Sequence, residues 1–493
     1  MEKRVYGLET EYGIVVLEEQ QAAYAFSVLD AFLSLISHQI GPARGDSSTN
    51  FFYLNGSRIY RDMGHPEYAT PECASIKDLI IWDKAGERIF EEAMREVNDN
   101  FRESNRPGDR IYLYKNNRDA EEATFGCHEN YLVSRQTDCE YLQKCLIPFL
   151  ATRQIFCGSG SIEPDGFKIS QRGRFIVRKA EDASTSGRPI IHLRDEALAN
   201  AEKWRRLHLI LGDANMSEIS GFLKMGTTAL VLRMVEDRFL DGEAIALFDP
   251  IAGLKAVAAD PACREELRLL RPRVSNGSLF LSAVEIQEIY LSKARDYLAG
   301  LGSVEPEWRE IIERWEHVLA GLKDDPMKLA REIDWVAKKW LMESVLERHG
   351  CGWDDFRGEI SSRENGEIFE LLKTVDLQYH DIRRDTGLYN LMVDEGLMEK
   401  LVGEEEVALA ENEPPQNTRA KWRCSFFKAA RDERLKRFNF QIGNWHKVTV
   451  TTASGDYDRG RVTSVFYFNN DDPLDSRAAA AEELLEKMKT FAV

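Results

Sequence analysis

Two short stretches of this 493-residue chain carry the side chains best suited to chemistry. They read Gly-Leu-Glu-Thr-Glu-Tyr-Gly at 7–13 and Asn-Gly-Ser-Arg-Ile-Tyr-Arg-Asp-Met-Gly-His-Pro-Glu at 55–67. Side chains alternate between the two faces of a β-strand, so strand geometry would gather the polar residues of each stretch on one face. The residues gathered in this way are Glu9 and Glu11 in the first stretch, and Arg58, Tyr60 and Asp62 in the second.

Carboxylates beside an arginine predict metal-assisted nucleotide chemistry. Mg²⁺ prefers carboxylate oxygens and keeps open positions for phosphate oxygens, and an arginine can neutralise phosphate charge. Asp62 shares a face with Arg58 and precedes a Gly-His-Pro bend, which makes it the candidate proton acceptor. The alternative is structural: two half-buried strands with a polar outer face, in which Asp62 pairs with Arg58. His65 and His128 could be metal ligands or structural residues.

The composition excludes several classes of protein. A net charge of -18 opposes sequence-independent binding to nucleic-acid phosphates, which requires a basic surface. The eight cysteines form no Cys-x-x-Cys pair, which favours reduced cytosolic thiols.

The N-terminus lacks the apolar core of a signal peptide. The stretch 22–40 has apolar residues at helical spacing, which predicts an amphipathic core helix instead of a membrane span. We therefore expect a cytoplasmic protein with neither nucleic-acid nor membrane partners.

The predicted elements mix strands and helices without regular βαβ alternation. Ser75 predicts the N-cap of a long helix, with Asp78 in the capping-box position. Further strands are predicted at 111–114 and 125–133. These patterns favour an α+β fold with an antiparallel or mixed sheet over a doubly wound fold.

A third patterned stretch, 167–179, predicts a strand with one basic and one apolar face. The basic parity carries Lys168, Ser170, Arg172, Arg174 and Arg178. Such a face would be either a solvated outer surface or a cradle for phosphates or an acidic partner.

An acidic run at 403–406, followed by Glu-Asn-Glu-Pro-Pro at 411–415, predicts a domain boundary. Paired prolines stop a helix, and acidic runs stay solvated. The predicted domains are a catalytic domain at 1–412 and a small C-terminal domain at 413–493. The second would contain two strands and a closing helix at 477–491.

Several common catalytic motifs are missing from the sequence. There is no Gly-x-x-x-x-Gly-Lys-Ser/Thr phosphate loop and no Gly-x-Ser-x-Gly nucleophile elbow. Cys127 and His128 are adjacent, but neighbours in a strand point to opposite faces, so they make a poor catalytic pair. P-loop, Rossmann and serine or cysteine hydrolase mechanisms are therefore disfavoured.

Longer motifs resemble the Pup ligase and depupylase (PafA/Dop) family across nearly the whole chain. The matching segments include Gly-Leu-Glu-Thr-Glu-Tyr-Gly at 7–13, Asn-Gly-Ser-Arg-Ile-Tyr-Arg-Asp at 55–62, His-Pro-Glu-Tyr-Ala-Thr-Pro-Glu-Cys at 65–73, His-Glu-Asn-Tyr-Leu at 128–132, Arg-Arg-Leu-His at 205–208 and Pro-Pro-Gln-Asn-Thr-Arg-Ala at 414–420. The resemblance implies a glutamine-synthetase-like sheet cradle with packed helices, plus a small C-terminal α/β domain.

The resemblance also implies roles for seven residues. Glu9, Tyr60 and Glu67 would bind Mg²⁺, Arg58, Thr70 and Trp445 would contact ATP, and Asp62 would accept the proton. The implied ligase transfers the γ-phosphate of ATP to the C-terminal glutamate side chain of a small, disordered, Pup-like modifier. A lysine of the target protein then attacks the acyl phosphate, and an isopeptide bond forms. The basic parity of 167–179 would help to dock the acidic modifier.

The motifs are divided between the two branches of the family. Segments at 82–88, 134–137 and 375–379 are similar to depupylases, whereas those at 215–218 and 444–445 are similar to ligases. The short connection from Gly13 to Asn55 leaves little room for the long loop of depupylases, and the ligase is the favoured direction.

Two other classes of function remain open from the sequence alone. An amidohydrolase could use the same ATP and Mg²⁺ pocket to cleave the isopeptide or a C-terminal amide, with Asp62 as base or nucleophile. A non-catalytic binding protein on the same fold is the second, although the intact set of Glu9, Arg58, Asp62 and Glu67 argues against it.

Overall fold

The computed structural model describes residues 3–17, 25–40, 47–103, 108–119, 123–181, 187–192, 198–242, 245–272, 277–356, 363–432, 435, 438–445, 447–452, 462–467, 485–486 and 488. Most of the closing helix predicted at 477–491 lies outside these residues. No helix within the described ranges combines the length and apolar character needed to cross a membrane.

The described strands form one large sheet and four small ones. In chain order they are β1 (Tyr6–Glu11), β2 (Gly13–Leu17), β3 (Asn50–Phe52), β4 (Arg58–Asp62), β5 (His65–Ala69), β6 (Arg110–Tyr114), β7 (Cys127–Ser134), β8 (Ser161–Glu163), β9 (Gly166–Lys168), β10 (Arg178–Glu181), β11 (Pro189–His192), β12 (Trp204–Leu209), β13 (Glu266–Arg268), β14 (Phe280–Ser282), β15 (Phe438–Asn444), β16 (Lys447–Thr452) and β17 (Val462–Tyr467). The large sheet has the order β10-β11-β12-β7-β1-β5-β4-β3. Its β10–β11 pair is parallel and its other pairs are antiparallel, which confirms the predicted mixed sheet.

Helices make up most of the remaining described structure. They are α1 (Ala25–Ile40), α2 (Ile76–Glu103), α3 (Cys139–Thr152), α4 (Gln154–Cys157), α5 (Glu218–Glu236), α6 (Pro250–Ala259), α7 (Ala283–Ala299), α8 (Pro306–Asp324), α9 (Asp334–Arg348), α10 (Arg363–Tyr379), α11 (Leu388–Asp394), α12 (Glu404–Ala410) and α13 (Ala420–Ala430). The start of α2 confirms the predicted cap, because the Ser75 hydroxyl accepts the backbone N–H of Asp78 at 3.0 Å.

Helices α2 and α5 cover one face of the large sheet. Leu8, Cys127 and Tyr131 point to this face and are buried. Helix α5 is buried along nearly its whole length, which explains why its sequence is apolar on all sides. The charged residues Glu129 and Arg153 also lie inside this core, and each compensates the other through a bidentate ion pair. The helices therefore hold the sheet rigid from one side and leave its other face for the site.

The strand predicted at 167–179 is wrong. Strand β9 ends at Lys168, a 3₁₀ turn follows, and β10 begins only at Arg178. The cause is Asp213, whose carboxylate accepts the backbone N–H groups of Gln171 and Arg172 at 2.9 and 3.0 Å and pulls the chain out of strand geometry.

The basic face expected on that stretch does not form either. Arg172 is buried and donates to the carbonyl oxygens of Ile210 and Phe125. The other three cations are paired with acidic neighbours: Lys168 with Asp165, Arg174 with Glu163 and Arg178 with Glu181. These residues offer no continuous cationic surface for an acidic modifier.

The C-terminal elements pack against the N-terminal ones. Trp422 and Phe426 of α13 and Phe440 of β15 lie in one hydrophobic cluster with Phe32 of α1 and Phe51 of β3. This packing brings the turn after β15 to the edge of the large sheet. The domain boundary at 412/413 stays a prediction.

Candidate active site

The face of the large sheet opposite α2 and α5 gathers the predicted polar residues. Antiparallel register places Glu11 opposite Glu67, and Glu67 opposite Tyr60. One pair further along β1, Glu9 lies opposite His128. We call this surface the carboxylate face and define it by Glu9, Glu11, Arg58, Tyr60, Asp62, Glu67, His128 and His208. The alternation predicted from the sequence therefore produces a single surface.

Two groups of candidate metal ligands lie on the carboxylate face. One comprises Glu11, Asp62 and Glu67, and the other comprises Glu9, His128 and His208; in each group the ligand atoms lie within 4.8 Å of one another. Among the described residues, no lysine or arginine forms an ion pair with any carboxylate of the first group. Three clustered oxygen donors without a compensating cation fit a hard divalent ion such as Mg²⁺.

The first group resists full ionisation in the absence of a cation. Burial raises the pKa of Glu67 well above its ordinary value, and the charges of Glu9 and Glu11 act in the same direction. Burial likewise raises the pKa of Glu11, with a smaller contribution from Asp62. The Tyr60 hydroxyl donates a hydrogen bond to Glu67, and burial keeps that phenol protonated by raising its pKa. This group therefore stores electrostatic repulsion that a bound cation would relieve.

Glu9 has a different environment from Glu67. Burial alone would raise its pKa, but the neighbouring side chains of His128, His208 and Arg206 outweigh burial and lower the pKa. Arg206 lies 3.3 Å from Glu9, and His128 lies 3.6 Å from it. Glu9 is thus a carboxylate under all ordinary conditions and is ready to act as a ligand.

Arg58 does not neutralise Asp62, contrary to the structural alternative weighed from the sequence. Its Nε donates to Asn50 at 2.9 Å. Its guanidinium lies 5.7 Å from the ring of Phe52 and 5.5 Å from the ring of Tyr60. The aromatic rings hold the cation over the sheet, and the carboxylate of Asp62 keeps its oxygens available as proton acceptors.

A cavity extends from Glu9 along β1 towards its first residue. Thr70 and Trp445 line it, as do Arg206 and Leu198. The Thr70 hydroxyl accepts the backbone N–H of Leu8 at 3.0 Å, which ties the end of β5 to β1. Trp445 packs edge-on against Phe52, with 5.0 Å between the ring centroids. Two of the three residues implied to contact ATP, Thr70 and Trp445, therefore lie in one cavity beside the carboxylate face, whereas Arg58 lies on that face and does not line the cavity.

A buried ion cluster forms the wall of this cavity. Glu72 accepts hydrogen bonds from Arg419 and Arg423, and Arg423 also donates to the carbonyl oxygen of Trp445 at 2.9 Å. The guanidinium of Arg423 lies 4.9 Å from the Trp445 ring. We call Glu72, Arg419 and Arg423 the Glu72 cluster; it fixes the C-terminal elements and Trp445 against the sheet.

The Glu72 cluster predicts an acid-sensitive contribution to stability. Burial alone would raise the pKa of Glu72, but Arg423 and Arg419 outweigh burial and lower it from 4.5 to about 2. The folded pKa is the lower one, so the contribution is fully present above about pH 4.5 and is lost as pH falls towards 2. The contribution of Glu72 to the free energy of unfolding at neutral pH amounts to roughly 3 kcal/mol.

Urea unfolding between pH 6 and 3 measures this contribution. Glu72→Gln should be less stable than the parent protein at pH 6, and the gap should narrow as the pH falls. Glu405→Gln, an exposed glutamate of α12, is the matched control and should follow the parent curve. A gap that stays constant with pH would refute the assignment.

Sequence reasoning underrated three residues of this site. The resemblance gives Glu11 no role, yet this residue lies within the first group of candidate ligands. His208 and Arg206 were noted in a motif without a role, and both lie beside Glu9. Strand alternation of β12 would have placed His208 and Arg206 on one face, but the pairing of β12 with β7 depends on contacts far apart in sequence.

A family model supplies the observation that decides the identity of this fold. The model described as Pup-ligase protein matches residues 4–449. The chain belongs to the Pup-ligase family. This confirms the resemblance found in the motifs.

Curated members of the Pup-ligase family carry two different names. A protein named depupylase from Acidothermus cellulolyticus is 41% identical over 462 residues, covering 85% of this chain and 86% of that protein. A protein named Pup–protein ligase from Kineococcus radiotolerans is 37% identical over 440 residues, covering 88% and 91%. A second Pup–protein ligase, from Kribbella flavida, is 39% identical with the same coverage.

Two solved structures of this family share the fold. The ligase PafA in complex with the prokaryotic ubiquitin-like protein Pup matches with a TM-score of 0.83 and 30% identity, covering 100% of this chain and 92% of PafA. PafA in complex with ADP matches with a TM-score of 0.77 and 32% identity, covering 91% of each chain. The predicted α+β class is confirmed by this likeness together with the mixed sheet.

Proposed function

We propose that this protein is an ATP-dependent ligase that joins the C-terminal glutamate side chain of a Pup-like modifier to lysines of target proteins. The observation that carries the proposal is the carboxylate face with Asp62, which lies beside the cavity lined by Glu9, Thr70 and Trp445. The likeness to PafA bound to Pup and to PafA bound to ADP supports the same modifier and nucleotide for this chain.

The residues present fit a magnesium site. Glu9, Tyr60 and Glu67 would hold Mg²⁺, as the resemblance implies; Glu11 lies in one group of candidate ligands with Glu67 and is a fourth candidate, whereas Glu9 lies in the other group. When bound, the ion would supply positive charge for the phosphate oxygens of ATP. The chain's own residues would then orient the nucleotide: Arg58 towards the phosphates, and Thr70 and Trp445 at the cavity wall.

Two bond exchanges complete the proposed reaction. A carboxylate oxygen of the modifier's terminal glutamate attacks the γ-phosphorus of ATP, the bond to the bridging oxygen breaks, and ADP leaves. The ammonium group of the target lysine then loses one proton to Asp62, its nitrogen attacks the acyl carbon of the γ-glutamyl phosphate, and the second proton leaves the nitrogen with the departing phosphate. A C–N bond forms, the C–O bond to phosphate breaks, and phosphate leaves with its electron pair.

The 41% identical relative named depupylase keeps a second candidate function open. A depupylase or deamidase would use the same face, with Asp62 activating water or attacking the carbonyl carbon of the isopeptide or C-terminal amide. We favour the ligase because the two solved structures described above are both of the ligase PafA, one of them bound to Pup.

Paired assays on the purified protein test the direction. One reaction contains a Pup-like peptide ending in Glu, a lysine-bearing acceptor protein, ATP and Mg²⁺; the other contains the preformed conjugate, or the peptide ending in Gln, with the same cofactors. The ligase predicts that conjugate forms in the first reaction faster than it disappears in the second. Cleavage or deamidation without conjugation would establish the alternative instead.

Gly7 supports a prediction about the cavity, whose floor it forms in β1. A Cβ atom at Gly7 would lie 3.8 Å from Asn130 and from the Thr70 hydroxyl, which are ordinary contact distances. Gly7→Ala should therefore fold normally, whereas the larger side chain of Gly7→Val would enter the space for ATP. We expect Gly7→Val to weaken ADP binding roughly 100-fold in calorimetry, as lost contacts of about 3 kcal/mol would. An unchanged affinity would place the nucleotide elsewhere.

The proposed partners and compartment follow from the composition and the thiols. We propose that the partners are the Pup-like modifier and lysine-bearing target proteins, without nucleic acid or membrane. All eight cysteines are free, which supports the reducing cytoplasm as the compartment.

A further inference from the structure

The Glu72 cluster contains one arginine more than its carboxylate requires. Arg423 donates to both oxygens of Glu72, at 2.9 Å to Oε1 and more closely to Oε2. This bidentate pair already neutralises the buried carboxylate. Arg419 adds a second buried guanidinium, and burial lowers the pKa of Arg419 by opposing its charge. A second buried cation is costly unless it has another acceptor to bind.

One nitrogen of Arg419 has no such acceptor among the described residues. Its Nε donates to Glu72 at 2.6 Å, and its Nη2 donates to the carbonyl oxygen of Leu198 at 2.6 Å. Its Nη1 has no hydrogen-bond partner among the described residues and is buried, and the residue as a whole is only 3% exposed. Arg419 lines the cavity together with Leu198 and Trp445. A buried, unpartnered charged donor on a cavity wall indicates a ligand that brings the acceptor.

The backbone of Leu198 fits this interpretation. Leu198 has a φ of 51°, a left-handed conformation that costs a residue with a Cβ atom free energy. The hydrogen bond from Arg419 holds its carbonyl oxygen, and its side chain faces the same cavity. Arg419 therefore shapes the cavity wall as well as lining it.

The position of Arg419 along the cavity separates it from the phosphate end. The candidate metal ligand Glu9 and the cation Arg206 lie 3.3 Å apart, and both line the cavity. Glu72, the partner of Arg419, precedes Cys73, which pairs with Tyr6 at the start of β1. Glu9 and Tyr6 are three residues apart in a strand, about 10 Å. A nucleotide with its phosphates at Glu9 would place its nucleoside beside Arg419 and Trp445.

We propose that Arg419 is a nucleoside-binding residue, whose Nη1 donates a hydrogen bond to the ribose 2′-hydroxyl or to a ring nitrogen of the purine. This rests on the proposed function, since it assumes that ATP occupies the cavity. Glu72 and Arg423 are then positioning residues: Glu72 orients the guanidinium, and Arg423 holds Trp445 beside the same nucleoside.

Binding of ATP analogues to the unmodified protein tests the proposal without any risk of misfolding. Calorimetry with 2′-deoxy-, 1-deaza-, 3-deaza- and 7-deaza-ATP removes one acceptor at a time. We expect one analogue to bind roughly 10- to 100-fold more weakly than ATP, because it lacks the acceptor for the hydrogen bond from the charged guanidinium. Arg419→Lys should weaken ATP binding by a similar factor and abolish the difference between ATP and that analogue.

A phosphate probe and a matched arginine complete the experiment. Magnesium tripolyphosphate should bind Arg419→Lys within about twofold of the parent protein, which also shows that the variant is folded. Arg384→Lys is the control. Arg384 also donates to a buried glutamate, Glu91, and this glutamate has a second arginine partner, Arg95. None of these three residues lines the cavity. Arg384→Lys should leave ATP affinity unchanged.

Each other outcome overturns the assignment. Equal binding of ATP and all four analogues would exclude the 2′-hydroxyl and the three ring nitrogens as the acceptor for Arg419. A parallel loss of ATP and tripolyphosphate binding in Arg419→Lys would place Arg419 at the phosphates. If the parent protein binds neither ATP nor tripolyphosphate, the proposed function itself fails, and that result is distinct from a parent that binds both while Arg419 has no effect.

Discussion

Asp62→Asn should abolish conjugate formation while leaving nucleotide binding intact. The amide is nearly isosteric with the carboxylate but cannot accept the proton of the attacking lysine. General-base groups contribute typically 10²–10⁴-fold to a rate, so we expect at least a roughly 100-fold loss in the rate of conjugation. Single-turnover conjugation followed by gel electrophoresis measures the chemical step, and calorimetry with ADP measures nucleotide binding.

A surface carboxylate near the same strand serves as the control for Asp62. Asp30 pairs with Arg61 of β4 at 2.8 Å, and both side chains are exposed. Asp30→Asn should conjugate at the parental rate. If Asp62→Asn also conjugates at that rate, Asp62 is not the proton acceptor.

Glu67→Gln should lose the magnesium-dependent part of nucleotide binding. Burial and the neighbouring carboxylates raise the pKa of Glu67, so burial of its charge without a cation is unfavourable, and glutamine removes that charge while keeping the shape of the side chain. The variant should therefore fold normally but offer no charged ligand. We expect the affinity for Mg²⁺ in the presence of ADP to fall at least roughly 100-fold. Loss of a residue that only supports a metal ligand costs about 10- to 100-fold, so loss of a ligand itself should reach at least the upper value.

Magnesium titrations in the presence of ADP test this prediction. Glu405→Gln again provides a glutamate that is exposed and remote from the carboxylate face. Tyr60→Phe leaves the carboxylate of Glu67 in place but removes the Tyr60 hydroxyl, which is both a proposed magnesium ligand and the donor to Glu67, so its magnesium dependence measures what that hydroxyl contributes. Parental magnesium dependence in Glu67→Gln would remove Glu67 from the proposed ligands.

The chemistry of the site was readable from local sequence, because strand alternation depends only on neighbouring residues. The parity of Glu9 and Glu11 in β1, and of Arg58, Tyr60 and Asp62 in β4, predicted one polar face for each strand. The same rule separated Cys127 from His128 correctly: Cys127 is buried on the helix side, beside Lys224, and His128 contacts Glu9.

The rest of the site depends on contacts between distant parts of the chain. The stretch at 167–179 alternates as well as β1 does, yet Asp213 captures its backbone from about 40 residues away. Pairing of β12 with β7, which brings Arg206 and His208 to Glu9, is likewise fixed only when the sheet assembles. The unpartnered Nη1 of Arg419 could not be predicted from the sequence. It results from a second arginine, Arg423, which already donates hydrogen bonds to both carboxylate oxygens of Glu72.

The stoichiometry of ADP release to isopeptide formation tests the central claim most directly. Purified protein receives a Pup-like peptide ending in Glu, a lysine-bearing acceptor, ATP and Mg²⁺, and both products are counted by mass spectrometry and chromatography. A ligase working through a γ-glutamyl phosphate predicts about one ADP for each isopeptide bond, with neither product formed when the peptide is omitted. Cleavage of a preformed conjugate without ADP release, and no new conjugate, would contradict the account.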